Sequence, residues 1–224
     1  MKRITLLFAF FLVTITIAFV VPPFSPASAQ ATASQSSSTA VSNCVVTKIG
    51  NPAGQPVLPP ECASAGGPEA LKAVELARQQ KGKWYLWGAP PGRNWANLDP
   101  SKGQTPPNFD CSGLTGWAWY WATNGKISMN GQTNADWLDS KGRGNTRYQK
   151  YIISDLTKLK SLLQPGDLIY WGTTSNVHHT AIFSGACKES SGADCFIEAA
   201  RTGTQIRESH LRAGIVGFLR PVLQ

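Results

Sequence analysis

The stretch Phe109-Asp110-Cys111-Ser112-Gly113-Leu114 opens the most informative segment of this 224-residue sequence. Apolar residues then recur at Leu114, Ala118 and Trp121, and the pair Asn124-Gly125 follows them. This spacing is typical of an amphipathic helix that ends at a glycine. The sequence therefore predicts a helix that begins at Cys111.

A cysteine in the first turn of a helix lies beside backbone N–H groups that have no partner within the helix. Those groups stabilise a thiolate, and they can also bind the oxyanion of an acyl-transfer intermediate. Cys111 is therefore a candidate nucleophile. The alternative is a buried structural cysteine, which is the commoner role of a free thiol.

Three histidines are candidates for the base that a reactive thiol needs: His178, His179 and His210. Neighbouring side chains alternate along a strand, so His178 and His179 point to opposite faces, and the residues alone leave both open. The same alternation disfavours a zinc site built from this pair and Cys111. Glu198 lies in an apolar segment, where a carboxylate is costly to bury unless it is paired. We expect it to orient the histidine, with an outward-facing strand residue as the alternative.

Five cysteines in an exported protein cannot all form pairs within one chain. Cys44 and Cys62 flank a proline-rich loop, and Cys187 and Cys195 flank a turn between two predicted strands. Both pairs are expected to be local disulfides, each contributing about 2 to 4 kcal/mol. Cys111 then remains as the free thiol.

The N-terminus has the three-part pattern of a secretory signal: Lys2 and Arg3, an apolar stretch over residues 4–21, and Ala27-Ser28-Ala29. We expect residues 1–29 to be removed and the protein to be secreted, with an uncleaved membrane anchor as the alternative. The formal charge of +8 then becomes +6, because two positive charges and no negative ones are lost. A basic exported protein suits an anionic wall polymer, whereas the absence of Lys/Arg clusters disfavours nucleic acid.

The globular domain is expected to span residues 66–224, after a linker and a looped segment over residues 30–65. Pro68 and Glu69 suit the start of a helix that ends near Lys81-Gly82, and a short helix is expected after Thr133. Short β-rich segments follow: Leu168–Trp171, His179–Phe183, Cys195–Ala199, Thr204–Glu208 and Ile215–Leu219. Helices followed by strands predict one α+β domain with an antiparallel sheet.

Four motifs, in this order along the chain, resemble the NlpC-type cell-wall endopeptidases, a bacterial branch of the papain-like cysteine peptidases. They are Tyr85-Leu86-Trp87-Gly88, Phe109-Asp110-Cys111-Ser112-Gly113-Leu114, Leu163-Gln164-Pro165-Gly166-Asp167-Leu168 and His179-Thr180-Ala181-Ile182-Phe183. The resemblance covers about residues 70 to 220 and implies a papain-like fold of this family. The chain departs from the family at Gly88-Ala89, where two glycines are common, and in a longer segment before Asp110.

The resemblance implies roles for five residues besides Cys111. His179 would be the base, and Glu198 would be the third member of the catalytic set. Tyr85 would assist the oxyanion site beside Cys111, while Asp110 and Ser112 would contact substrate. The longer segment over residues 89–109 is either a wall of the substrate cleft or a surface loop.

The resemblance further implies a secreted cysteine endopeptidase that cuts peptidoglycan stem peptides at the γ-D-glutamyl to diamino-acid bond. No metal or cofactor is required for acyl transfer of this kind. We expect a monomer whose partner is the cell wall and which contacts no membrane after signal cleavage. The alternatives are an amidase that cuts between sugar and peptide, a wall-targeting toxin, and an inactive wall-binding module. Trp95 or Trp119 is expected to contribute to wall binding.

Overall fold

The computed structural model describes residues 67–139, 147–188, 191–192 and 194–222, all within one compact unit. The expected signal peptide and the expected Cys44–Cys62 disulfide lie outside these residues. The described residues form helices α1 Pro68–Arg78, α2 Cys111–Ala122, α3 Thr133–Asp139 and α4 Leu156–Leu162. They also form strands β1 Arg147–Ile152, β2 Leu168–Thr173, β3 Asn176–Gly185, β4 Cys195–Glu198, β5 Arg207–His210 and β6 Ile215–Val222.

The three helices that the sequence predicts are present. The α1 helix has Pro68 at its first position and Glu69 in its first turn, where proline costs no hydrogen bond and an acid favours the helix dipole. It ends at Arg78, one turn before the expected Lys81-Gly82 stop. The α2 helix begins at Cys111, as its spacing predicts.

The sheet has six strands in the order β1-β6-β2-β3-β4-β5, and every neighbouring pair is antiparallel. One apolar cluster joins α1 and α2 to the sheet, and a second cluster joins α4 to it. This arrangement confirms the expected α+β class. In the described part of the chain, none of the helices is long and apolar enough to cross a bilayer.

Two of the strand predictions differ from the structure. Strand β1 was not predicted, although Tyr148 and Tyr151 mark a β-prone segment. The predicted strand Thr204–Glu208 has the wrong boundaries, because the strand that pairs with β4 is Arg207–His210. Residues 204–206 bond instead to the segment that contains Lys83 and Tyr85: the N–H of Ile206 donates to the carbonyl of Lys83, at 2.8 Å.

The segment over residues 89–109 is fixed against α2 by two tryptophan side chains of that helix. The indole N–H of Trp121 donates to the carbonyl of Trp95, and that of Trp117 donates to the carbonyl of Leu98, each at 3.0 Å. The Trp95 ring is itself buried. The segment is therefore held in one position beside the start of α2.

Candidate active site

Cys111 lies at the first position of α2 and is almost fully buried. Asp110 caps the helix, because its Oδ1 accepts a hydrogen bond from the Gly113 N–H at 2.6 Å. The N–H groups of Cys111 and Ser112 have no acceptor within the helix, since they belong to its first turn. The Cys111 sulfur lies 3.3 Å from the Thr133 hydroxyl at the start of α3.

His179 extends from β3 and connects the thiol to a carboxylate. Its Nε2 lies 2.9 Å from Oε2 of Glu198 on β4, so Nδ1 is the nitrogen left for Cys111. The imidazole packs on the ring of Trp171, its partner residue on β2, with 5.2 Å between ring centroids. A hydrogen bond at one nitrogen and an aromatic ring on one face fix the orientation of the imidazole.

Glu198 is completely buried, and four side chains donate to its carboxylate. Besides His179, these are Arg207 and Ser209, each at 3.1 Å, and Arg212, whose two nitrogens lie 2.8 and 3.2 Å away. Burial alone would raise the pKa of Glu198, but the hydrogen bonds from His179 and Arg212 hold it well below its usual range. Glu198 is therefore ionised at neutral pH, as a partner of a histidinium must be.

The electrostatics of the pair favour a charged thiolate beside a charged imidazole. Burial opposes ionisation of Cys111, but the hydrogen bond and charge of His179 and the hydrogen bond of Thr133 outweigh it and lower the Cys111 pKa. Burial likewise opposes the charge on His179, but its hydrogen bonds with Cys111 and Glu198 raise its pKa. Each member thus stabilises the ionised form of the other, which is how a cysteine nucleophile is activated.

Tyr85 lines the same cavity as Cys111 and supplies a hydroxyl group. Its backbone is fixed on two sides: its N–H donates to the carbonyl of Thr204 at 2.9 Å, and it forms a bridge with Phe109. Burial and the negative charges of Cys111 and Asp110 raise the pKa of Tyr85 to about 12. The phenol therefore stays protonated at neutral pH and can donate a hydrogen bond.

The cavity has a volume of about 640 Å³ and opens to solvent beside Cys111. Tyr85, Trp87 and Arg93 line it together with residues around α3, namely Asn130, Gly131, Gln132 and Thr133. Because Gly92 and Arg93 belong to the segment over residues 89–109, this segment forms a wall of the cleft. Of the two alternatives that the sequence left open for this segment, the structure favours the cleft wall over a surface loop.

The structure brings the six residues expected from the sequence into one region. His179 connects Cys111 with Glu198: its Nε2 lies 2.9 Å from the carboxylate, and its interaction with the thiol lowers the Cys111 pKa. The expected substrate and oxyanion residues, Tyr85, Asp110 and Ser112, line the cavity. His178 also lines the cavity, whereas His210 lies 3.6 Å from the sulfur of Cys195.

Sequence reasoning missed Thr133, Arg93 and Trp87. Thr133 was recognised only as a helix start, and no sequence signal connects it with the thiol. Trp87 lies within a quoted motif, and its side chain is 82% exposed at the cavity. Arg93 lies in a segment without a regular pattern, so only its position in the fold reveals it.

The expectation that Trp95 or Trp119 contacts the wall is wrong. Only 2% of Trp95 and 3% of Trp119 are exposed, so neither ring is available to a polymer. Trp119 faces the protein interior, where its indole N–H donates to the carbonyl of Gly166 at 3.0 Å. Trp87 is the exposed tryptophan at the cleft.

The expected disulfide between Cys187 and Cys195 is present, and Cys111 is a free thiol, as expected. This bond joins Cys187, two residues after the end of β3, to the first residue of β4, the strand that carries Glu198. It therefore ties together the two strands that supply the base and its carboxylate.

A sequence model of the NlpC/P60 family matches residues 82–217. No curated protein sequence matches the chain. One similar solved structure is the NlpC/p60 domain of the peptidoglycan hydrolase SagA, with 21% identity over 67% of this chain and 97% of that one and a TM-score of 0.44. Another is NlpC1 from Trichomonas vaginalis, with 19% identity over 69% of this chain and 45% of that one and a TM-score of 0.44.

A third similar structure is a hypothetical invasion protein of Mycobacterium tuberculosis, with 23% identity and a TM-score of 0.44. The match covers 68% of this chain and 61% of that protein. The chain thus spans nearly all of the SagA domain but only about half to three fifths of the other two chains.

Proposed function

Because the chain belongs to the NlpC/P60 family, we propose that it is a cell-wall hydrolase, a cysteine endopeptidase that cleaves the stem peptides of peptidoglycan. The observation that carries this proposal is the arrangement of a thiol with a lowered pKa, Cys111, beside His179, which is hydrogen-bonded to the buried Glu198, next to an open cavity. A thiol with a lowered pKa next to an oriented base is suited to nucleophilic attack on an amide.

The reaction begins when His179 accepts the thiol proton and the Cys111 thiolate attacks the amide carbonyl. The negative oxygen that forms is held by the N–H groups at the start of α2 and by the protonated Tyr85 hydroxyl. The histidinium then gives its proton to the departing amine, and a thioester remains on Cys111. Water, deprotonated by His179, attacks the thioester and releases a carboxylic acid and the free thiol.

Two neighbouring groups support these steps. The Thr133 hydroxyl, 3.3 Å from the sulfur, can donate to the thiolate before attack. Glu198 stabilises the positive charge that His179 carries after each proton transfer, which is the role of a buried carboxylate in such a set. The arginines around Glu198 keep it ionised throughout.

The substrate is the peptide part of the wall, and the bond is the one between γ-D-glutamate and the diamino acid, as the family resemblance implies. The N-terminal signal pattern supports secretion, which would deliver the enzyme to this substrate. The positive formal charge of the chain favours contact with an anionic wall.

The test is mass spectrometry of purified peptidoglycan after incubation with the mature protein and with its Cys111→Ala variant. New fragments that end at D-glutamate, produced only by the intact protein, are expected. His179→Asn should abolish these fragments, while the matched variant His210→Asn, which changes a histidine outside the cavity, should retain them.

Other products would identify other functions. Fragments in which the sugar is separated from the first L-alanine would make the protein an amidase that uses the same residues. Binding to insoluble walls without any cleavage would make it a binding module. Cleavage that survives Cys111→Ala would overturn the mechanism.

A further inference from the structure

A group of three side chains that can bind a metal lies where the ends of β3, β4 and β5 meet. It consists of Cys187, Cys195 and His210, whose two sulfurs and one ring nitrogen all lie within 4.8 Å of one another. Within the described ranges, no other three His, Cys, Asp or Glu side chains are grouped closely enough to share an ion. The group does not line the cavity beside Cys111, so it is separate from the catalytic set.

The backbone brings these side chains together independently of the disulfide. Cys195 and His210 are directly opposite each other in the β4–β5 pairing, so their side chains share one face of the sheet. On the other side of the disulfide, the N–H of Lys188 donates to the Glu208 carboxylate on β5 at 2.8 Å. Cys187 precedes Lys188, so this hydrogen bond holds it beside β5 as well.

Glu208 is a firm anchor for the segment that carries Cys187. Its side chain is only 2% exposed. Arg78 donates to its carboxylate at 3.0 Å, and the hydroxyl of Ser184 donates at 3.1 Å. Because these contacts do not involve sulfur, they persist when the disulfide is broken and keep both thiols within reach of His210.

The sulfur–nitrogen distances match those of a tetrahedral zinc site. The Nδ1 atom of His210 lies 3.5 Å from the sulfur of Cys187 and 3.6 Å from that of Cys195. A zinc ion with bonds of about 2.3 Å to sulfur and about 2.0 Å to nitrogen places two such ligands about 3.5 Å apart at the tetrahedral angle. The imidazole is therefore already at ligand distance, and the two sulfurs need only separate from each other.

The donor atoms and their accessibility favour zinc over the harder cations. Thiolates and imidazoles are the ligands that zinc prefers, whereas Ca²⁺ and Mg²⁺ select oxygen atoms. His210 is exposed and Cys187 is partly exposed, so a reductant and an ion can both reach the sulfurs. Three protein ligands leave the fourth tetrahedral position to a water molecule.

We propose that Cys187, Cys195 and His210 form a zinc site when their disulfide is reduced. A dithiol reductant delivers two electrons and two protons to the disulfide and itself becomes a disulfide, which leaves two thiols on the protein. Binding of Zn²⁺ to both sulfurs then releases their two protons. This inference goes beyond the proposed function and does not rest on it.

The site provides a link between strands under both redox conditions. The disulfide joins β3 to β4 in oxidising surroundings, and the zinc ion joins them in reducing ones. These strands carry His179 and Glu198, so either link keeps the base beside its carboxylate. The ion binds only after reduction, and cleavage by the oxidised enzyme therefore does not depend on His210.

The experiment uses the mature protein without an affinity tag, in a background that carries Cys44→Ser, Cys62→Ser and Cys111→Ala. Cys187 and Cys195 are then the remaining cysteines. Zinc binding is measured by calorimetry before and after treatment with a phosphine reductant, which contains no thiol that competes for the ion. We expect one Zn²⁺ per reduced chain and no comparable binding to the oxidised chain.

Two further measurements report the ligands and the effect of the ion. With Co²⁺ in place of zinc, the reduced protein should show thiolate-to-cobalt charge-transfer absorption and the strong visible bands of tetrahedral cobalt. Because an ion that binds only the folded state stabilises it, Zn²⁺ should raise the Tm of the reduced protein. A chelator should reverse this shift.

Variants of the individual ligands test the contribution of each one. His210→Asn should weaken zinc binding by at least about tenfold, because even the loss of an outer partner of a metal ligand costs that much. Cys187→Ser, at a partly exposed position, should weaken it at least as strongly. His178→Asn changes another exposed histidine and is the matched control, which should bind zinc as the background does.

Three results would overturn the proposal. The first is the absence of zinc binding in a protein whose two thiols have been shown by alkylation to be reduced. The second is an affinity that His210→Asn or Cys187→Ser leaves unchanged. The third is equal affinity of the oxidised protein, since a disulfide has no thiolate to donate. None of these measurements uses peptidoglycan, so a failure of this proposal leaves the proposed function untouched.

Discussion

Replacing Glu198 by glutamine removes one negative charge and leaves the volume of the side chain nearly unchanged. In the wild-type protein this carboxylate accepts hydrogen bonds from His179, Arg207, Ser209 and Arg212. A carboxamide has one oxygen instead of two, and its NH2 group would face donors. The substitution therefore disrupts the orientation of His179 and leaves two arginines without their anion.

The expected magnitudes follow from this geometry. Removing one partner of a buried ion pair costs about 3 to 5 kcal/mol, but Arg207 and Arg212 are about half exposed, so water recovers part of that loss. We expect a loss of about 2 to 3 kcal/mol in the free energy of unfolding. For activity, a histidine without its carboxylate should lower kcat/KM by about 10² to 10⁴, or roughly 3 to 5 kcal/mol of transition-state stabilisation.

The assays are urea denaturation and kcat/KM on a soluble stem peptide, corrected for the folded fraction. Glu208→Gln is the matched control, because that carboxylate also binds an arginine, Arg78 at 3.0 Å, and a serine, Ser184 at 3.1 Å, but lies outside the cavity. The control should lose stability and keep its activity per folded molecule. If Glu198→Gln retained wild-type kcat/KM, the role assigned to Glu198 would be refuted.

Three further predictions concern the thiol, the core and the cleft wall. The alkylation rate of Cys111 should rise with pH around a midpoint below the 9.0 of a free thiol. His179→Ala should move this midpoint above that value, because burial then outweighs the remaining hydrogen bond from Thr133; an unmoved midpoint would contradict the pairing of Cys111 with His179. Asp167→Asn should lower the free energy of unfolding by about 3 to 5 kcal/mol in urea denaturation, because Arg220 loses a buried carboxylate at 2.7 Å. A loss below about 1 kcal/mol would contradict a stabilising role of this ion pair. Gly113→Ala should lower the free energy of unfolding by about 1 to 3 kcal/mol and reduce kcat/KM, because the new Cβ atom would lie 2.0 Å from the backbone carbonyl of Ala89 in the cleft wall. Unchanged stability together with unchanged kcat/KM would count against this tight contact.

Parts of the site that depend on neighbours along the chain could be predicted from the sequence. The helix at Cys111 and its cap at Asp110 follow from hydrophobic spacing and from a capping residue. The apolar surroundings of Glu198 indicated a paired carboxylate, and the structure places three basic side chains around it. The choice between His178 and His179 required the family resemblance, because strand alternation alone is symmetric between adjacent residues.

Other parts could not be predicted because their signals are distant in sequence. The strand near residue 204 was misplaced, since residues 204–206 bond to the segment around Lys83 and not to β4. Trp95 and Trp119 were expected at the surface because composition does not distinguish a buried tryptophan from an exposed one. Thr133 reaches the thiol only because α3 packs beside the start of α2.

The sequence by itself determined the elements and the reactive groups of this protein: a helix that begins at a cysteine, the strands that carry a histidine and a glutamate, and one local disulfide. These features depend on propensities and spacings that act within a single turn or hairpin. Only the tertiary structure decided that Thr133 reaches the thiol and that Arg93 pairs with Asp110 and lines the cleft. The physical reason is that hydrogen-bond satisfaction depends on which distant segments pack together, and the sequence of neither segment contains that information.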